Sequence, residues 1–510
     1  MPQASESSHL VRQLTSFDAQ FLAIEDARNY SHVSGLSILD PSTAPGGKLN
    51  LVDVQNLIEE RLHLLPPFRW RLAEVPFGID HPWWVDDPDF DIEFHVRELA
   101  LPAPGNEAQL TAQIERLVSR PLDRSRPLWE IYLIQGLEKG KVALFPKIHH
   151  AVVDGVSGAE IMGILFDLEP TGREIPPATD DGETERVPSS LELFGRGLFG
   201  TPRRVATAVA SAPYILPNIA DVPTLQALPG VGLIGRISDR ARRVTSSNGD
   251  GHVIDRDKTK APRTMLNGPV SAHRRVSFGS LSLDTVKMIK NAYSVTVNDV
   301  VVALSAAAVR EFLISHDDLP DEPLIAMIPI SVRTEEQIGT YGNRISMMVV
   351  PIPTDEPDPV ERLLRSHVEM ALAKDQFGAL PANLMTDANN FIPPAVFARA
   401  ARAITSVGAN ERFRPHFNVT ISNVPGPPIP LYVAGAKLEA NYPISVITDG
   451  VGLNITVLSY MGHLDFGIVG DRELTPDLDS IMDSLRNDLA TLEKRAKAKV
   501  RAETKAAKKA

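Results

Sequence analysis

Residues 171–190, TGREIPPATDDGETERVPSS, divide this chain. The stretch is polar, acidic and proline-bearing, with no apolar period, so it offers neither a helix face nor a strand face to a core. Both flanks mix strand and helix patterns. A chain of 510 residues is also too long for one core, at roughly 100–200 residues per domain. The pattern predicts a mixed α/β protein with two large domains. The first spans 1–180, and a partly helical linker covers 181–265. The second spans 266–490, and a basic tail covers 491–510.

In the first block, LVDVQNLIEERLHLL (51–65) repeats apolar residues at helical spacing. WEIYLIQGLEKGKVALFPKIHH (129–150) reads as two strands joined at EKGK, a β-hairpin that ends on two histidines. GAEIMGILFDL (158–168) follows as an amphipathic helix with Ile161, Ile164, Leu165 and Leu168 on one face. In the second block, NDVVVALSAAAVREFL (298–313) predicts a helix. LIAMIPISVRT (324–334), ISMMVVPIP (345–353) and GLNITVLSYMGHLDFGIVG (452–470) predict strands, the last with a turn at Met461–His463.

Composition excludes several classes. The formal net charge of −12 gives no reason to expect a nucleic-acid partner. With no cysteine there is no disulfide, thiolate metal site or cysteine nucleophile, which fits a cytoplasmic protein. MPQASESSHLVRQL lacks the apolar centre of a secretory signal. No apolar run of about 18 residues is present to span a bilayer.

String matches to known motifs mostly fail. GVGLIG (230–235) fits a dinucleotide fingerprint but follows LQALP rather than a strand. GVSGA (155–159) misses the nucleophile elbow at Ala159.

HHAVVDG (149–155) holds. Four fixed residues, two of them rare histidines, recur by chance on the order of once in a thousand sequences of this length. The bland reading is a pair of satisfied histidines with an Asp turn-former before Gly155. A metal site is disfavoured, because adjacent residues of an extended strand point to opposite faces, leaving one histidine and Asp154 for any one ion. The same geometry suits a division of labour. One histidine faces a cleft as a base, and the other faces inward and holds the loop.

HHAVVDG resembles the active-site motif of the CoA-dependent acyltransferase superfamily, which includes chloramphenicol acetyltransferase and nonribosomal peptide condensation domains. More closely, the chain is similar to the bacterial wax ester synthase/diacylglycerol acyltransferase family. The matches include SFDAQFLAIED, PPFRWRL (66–72), RPLWE (126–130), NDVV (298–301), PISVR (329–333), YGNRIS (341–346) and SNVPGP (422–427), covering most of residues 15–475. The resemblance implies a two-domain, chloramphenicol acetyltransferase-like α/β fold with a tunnel at the domain interface. Acyl-CoA would enter from one side, and diacylglycerol or a long-chain alcohol from the other. It implies His150 as general base, supported by His149 and Gly155, and a structural Asp154 paired with Arg333. It places Asn298 and Asp299 near the site, where Asn298 braces the catalytic loop or polarises the oxyanion. Trp129 in PLWE is expected to pack rather than to catalyse. Transfer would be direct, with acyl-CoA as substrate and no metal or other cofactor. Two further readings stay open: a condensation-type enzyme with a non-lipid acceptor, and a silent lipid-binding relative, against which the intact motif argues.

Water-insoluble substrates without a membrane span imply peripheral attachment to a membrane or lipid-droplet surface. Two segments are candidates. Residues 191–220 carry Leu193, Phe194, Leu198 and Phe199 for apolar insertion. The tail EKRAKAKVRAETKAAKKA (493–510) carries eight Lys or Arg against two Glu, and reads either as a solvated helix or as a contact for anionic lipid.

Overall fold

The computed structural model describes residues 12–152, 161–177, 188–189, 191–196, 261–331, 345–378 and 414–508. In chain order the first part holds β1 (Arg12–Gln13), α1 (Ser16–Ile24), β2 (His32–Asp40) and α2 (Leu51–Arg61). It continues with β3 (Trp70–Ala73), β4 (Trp83–Asp86), α3 (Ile92–His95), β5 (Val96–Ala100), α4 (Glu107–Val118), β6 (Trp129–Gln135) and β7 (Val142–His149). The second part opens with β8 (Arg274–Ser282), α5 (Leu283–Tyr293), α6 (Val297–Ser315), β9 (Leu324–Ser331), β10 (Ile345–Ile352) and α7 (Pro359–Gly378). It closes with β11 (Val419–Val424), β12 (Tyr432–Val433), β13 (Ala436–Ile444), β14 (Leu453–Tyr460), β15 (His463–Asp471) and α8 (Asp479–Ala507).

Local chemistry explains several boundaries. Helices α2, α4 and α6 each begin with a capping box, built on Asn50 and Asp53, Asn106 and Gln109, and Thr296 and Asp299. The β6–β7 hairpin is buried on both faces along nearly its whole length. That is why it carries a near-continuous apolar run instead of a strict alternation. Helix α6 is buried almost all round, from Asp299 to Val309, and forms the centre of the second core.

The strands form a three-stranded sheet ordered β1-β4-β3 and two six-stranded sheets. One large sheet runs β12-β13-β2-β7-β6-β5 and the other β10-β9-β11-β14-β15-β8. The first therefore takes two strands from the second half of the chain. Strand β13 pairs antiparallel with β2, with Leu438 opposite Leu39 and Ile444 opposite Ser34. Leu36, Phe145, Val276, Phe278, Ile444 and Val469 form a shared core between the two halves. Gly467 on β15 permits the closest approach, since a Cβ there would lie 1.7 Å from the Pro443 carbonyl oxygen on β13. Asp465 bolts the same crossing, accepting from Ser280 Oγ at 2.6 Å and from the Asn441 amide at 2.9 Å.

The predicted hairpin, the helices beginning near residues 51 and 298, and the strands of the second half are all present. The helix expected over 158–168 differs. Its described part is helical at 161–165, and Leu168 is 61% exposed. The chain leaves the helix because Asp167 bridges to Tyr432 and its carboxylate takes Arg61 Nη2 at 2.7 Å. No single helix among the described residues is long and apolar enough to cross a membrane.

Candidate active site

The site is built where helix α1 meets the end of β7. Thr15 caps α1 by accepting from the Asp18 amide at 3.1 Å. The helix stops at Glu25, whose extended backbone turns the chain toward β2. His149, the last residue of β7, lies opposite His32 of β2 and donates its amide to the Leu128 carbonyl at 2.9 Å. His150, just beyond the strand, donates its amide to the Ser31 carbonyl at 2.7 Å.

The two histidines have different surroundings. His149 is 1% exposed. Its Nδ1 accepts from the Ala151 amide at 3.0 Å, and its Nε2 lies 3.1 Å from Glu25 Oε1. A ring nitrogen that accepts from an N–H carries no proton, so the proton sits on Nε2 and faces the carboxylate. That approach is too bent for a well-directed hydrogen bond, and electrostatic attraction carries it. His150 is half-buried, with its ring stacked on Phe21 at 4.1 Å between centroids and 8° between planes.

Glu25 faces donors on every side. Oε1 also accepts from the Ser31 amide at 2.8 Å, and Oε2 accepts from Arg124 Nε at 3.1 Å and Nη2 at 2.7 Å. Burial alone would push the carboxyl up, but His149, the Ser31 amide and Arg124 outweigh it and hold Glu25 down at about 2. Behind this pair, burial depresses His32, whose Nε2 bonds the Val118 carbonyl at 3.0 Å. Burial also lowers Lys147 to about 8 against the pull of Glu130, and Lys147 Nζ donates to the Arg120 carbonyl at 2.7 Å.

Ala151 and Val152, which follow the histidines, line a small cavity with Asp18, Pro67, Trp70 and Trp84. PPFRWRL thus places Pro67 and Trp70 beside the histidine loop. Trp129 is buried, donates its indole N–H to the Phe68 carbonyl at 2.8 Å and stacks on Phe68 and His95. It packs, as expected.

Asp154, Gly155 and Arg333 lie outside the described residues, and so does any pairing between them. Asn298 stands half-buried in the first turn of α6, its Oδ1 accepting from Asn423 Nδ2 of SNVPGP at 3.3 Å. Asp299 is buried and closes the α6 capping box, accepting from the Thr296 amide at 2.8 Å. Its carboxylate also meets His367 Nδ1 of α7 at 2.7 Å. Both of these contacts lie within the second half. Sequence reasoning passed over Phe21, Glu25, Ser31 and Arg124. Phe21 and Glu25 stand in SFDAQFLAIED, but no spacing links them to Arg124 or the histidines.

Comparison with known proteins gives a consistent result. The wax ester synthase/diacylglycerol acyltransferase catalytic domain matches residues 14–301, and the C-terminal domain of the same family matches residues 341–493. A putative diacylglycerol O-acyltransferase of Mycobacterium tuberculosis is 33% identical over 486 residues, covering 94% of this chain and 90% of the relative. A probable diacylglycerol O-acyltransferase of the same organism is 34% identical over 481 residues, covering 93% of this chain and 97% of the relative. The solved wax ester synthase/diacylglycerol acyltransferase from Marinobacter aquaeolei VT8 superposes with a TM-score of 0.65 at 29% identity, covering 95% of this chain and 99% of that one. The trichothecene 15-O-acetyltransferase TRI3 of Fusarium sporotrichioides shares the fold, with a TM-score of 0.58 at 14% identity over 94% of each chain.

Proposed function

The chain belongs to the wax ester synthase/diacylglycerol acyltransferase family and is an acyltransferase, and from that premise we propose that it moves a long-chain acyl group from acyl-CoA directly to the hydroxyl of diacylglycerol or a long-chain alcohol, with His150 as general base. The observation that carries this reading is the unequal placement of the two histidines. His149 is locked between Glu25 and the Ala151 amide, which spends both of its ring nitrogens on structure. His150 is half-buried beyond the strand end, next to the residues that line the cavity.

His150 takes the proton of the acceptor hydroxyl as its oxygen attacks the thioester carbonyl. A tetrahedral oxyanion forms and collapses, breaking the carbon–sulfur bond, and the imidazolium returns the proton to the CoA thiolate. Each oxyanion donor in such chemistry is worth about 2.7–4 kcal/mol. Asn298 is suited to donate, because its Oδ1 is engaged by Asn423 and its Nδ2 carries the remaining hydrogens. Neither step calls on a metal or a second cofactor.

The substrates also require a surface that meets lipid. Phe77 is 91% exposed and sits at a φ of 61°, a backbone region that bulky side chains avoid. Phe194 packs edge-on against it at 6.1 Å, and Leu191, three residues before Phe194 on the same helical turn, is 80% exposed. Leu193 points inward at 3% exposure and is unavailable for insertion. Leu198 and Phe199 lie outside the described residues. We assign the lipid contact to Phe77 and Leu191, with the basic end of α8 as an auxiliary.

The test is CoA release by the purified protein, given palmitoyl-CoA with dioleoylglycerol or hexadecanol. His150→Ala is expected to lose about 10²–10⁴-fold in rate while circular dichroism stays unchanged. A folded His150→Ala protein with most of its activity would remove His150 from the chemistry.

A further inference from the structure

Phe21 lies face to face with the His150 imidazole at 4.1 Å, with the planes 8° from parallel. Helical periodicity accounts for Phe21 facing the body of the protein, but it does not account for a parallel stack on one particular ring. The register comes from Ser31. Its Oγ donates to the Phe21 carbonyl at 2.8 Å, and its carbonyl accepts the His150 amide at 2.7 Å. One residue thus fixes the two backbone points from which the stacked rings project. Its amide holds Glu25 at 2.8 Å, tying the same clamp to His149.

His150 stands beyond the last residue of β7, where the strand pleat no longer sets its side-chain direction. The second torsion of a histidine is broad, so the direction of its nitrogens depends on what the ring packs against. A flat aromatic face in contact restricts that torsion to orientations parallel to the face. Proton transfer is sensitive to this, because the accepting lone pair lies in the ring plane and must meet the hydroxyl within about 2.6–3.2 Å. The π-face also attracts the imidazolium formed once the proton has moved.

We infer that Phe21 is a positioning residue for acyl transfer: its ring sets the plane of the His150 imidazole so that the proton-accepting nitrogen is aimed at the acceptor hydroxyl. The inference rests on reading His150 as the base.

Phe21→Leu, Phe21→Met, Phe21→Tyr and His150→Ala proteins are compared for kcat, for KM toward palmitoyl-CoA and hexadecanol, and for melting temperature. Leu and Met keep apolar volume but offer no flat face. They are expected to lower kcat by about 10²-fold, the scale of a misaimed catalytic group, with both KM values and the melting temperature unchanged. Tyr restores the face and is expected to restore kcat. A folded Leu or Met protein with wild-type kcat overturns the inference, as does a Tyr protein as slow as Leu. If Leu and Met both fail to fold while Tyr is normal, Phe21 is a packing residue and the inference is wrong. Full activity in His150→Ala defeats the reading of the base instead, whatever the Phe21 variants do.

Discussion

Replacing Glu25 with Gln removes one charge and almost no volume, yet it should damage both stability and turnover. The carboxylate meets only donors: His149 Nε2 and the Ser31 amide at Oε1, and Arg124 Nε and Nη2 at Oε2. A Gln amide group turned either way therefore confronts two of them. Arg124 can only donate, so the NH₂ should face His149 and Ser31. His149 can then accept at Nε2 only by moving its proton to Nδ1, where it collides with the Ala151 amide.

The depression of Glu25 from 4.5 to about 2 corresponds to about 3 kcal/mol at 1.36 kcal/mol per unit. Because the folded value is the lower one, this contribution is complete above the unfolded value. It fades as pH falls through the window from 4.5 to about 2. Urea unfolding of wild type and Glu25→Gln should therefore differ by about 3 kcal/mol at neutral pH and by roughly half that near pH 3. A kcat loss of about 10²-fold should accompany it, through displacement of the loop that carries His150. An equal stability gap at both pH values would show that charge is not what Glu25 contributes. No gap at all would refute the clamp.

Gly467→Ala puts a methyl group 1.7 Å from the Pro443 carbonyl, with backbone on both sides. It should lower stability by about 3 kcal/mol or more, and an unchanged thermal midpoint would show that β13 and β15 are not closely held. In vesicle flotation, Phe77→Ser combined with Leu191→Ser should abolish binding at low and high salt alike, since each inserted side chain is worth about 1.5–3 kcal/mol. Changing Lys494, Lys497, Arg501 and Lys505 to Gln should weaken binding only at low salt. If the lysine and arginine changes alone remove binding, the basic helix is the anchor.

Periodic segments were legible and partnerships were not. The β6–β7 hairpin and α6 could be read from apolar runs and turn residues, because each forms with neighbours in sequence. The docking of β13 on β2 could not, since an alternating strand marks which face it buries but not which strand it joins. Leu168 was expected to be buried because it continues a helical stripe. The Arg61–Asp167 pair ends that stripe, and a period cannot foresee an ion pair formed across more than a hundred residues. At the site, His149 and His150 were visible through their motif. Glu25, Arg124 and Ser31 were silent, because a lone acid, a lone arginine and a serine carry no signal until the fold brings them together.

The pairing of β2 with β13 also bears on how the chain is made. Ser37 and Asn441 bond across 404 positions of sequence. At about 5–20 residues per second, a ribosome needs roughly 20–80 s to travel between them. Strands β5, β6 and β7 can assemble with β2 soon after they emerge, but the far edge of β2 then waits, bare, for a strand not yet synthesised. An open edge of this kind is a template for pairing with another chain. The nascent protein therefore passes through an interval in which its first sheet is nearly complete and prone to aggregate, and shielding by a chaperone would matter most during that interval.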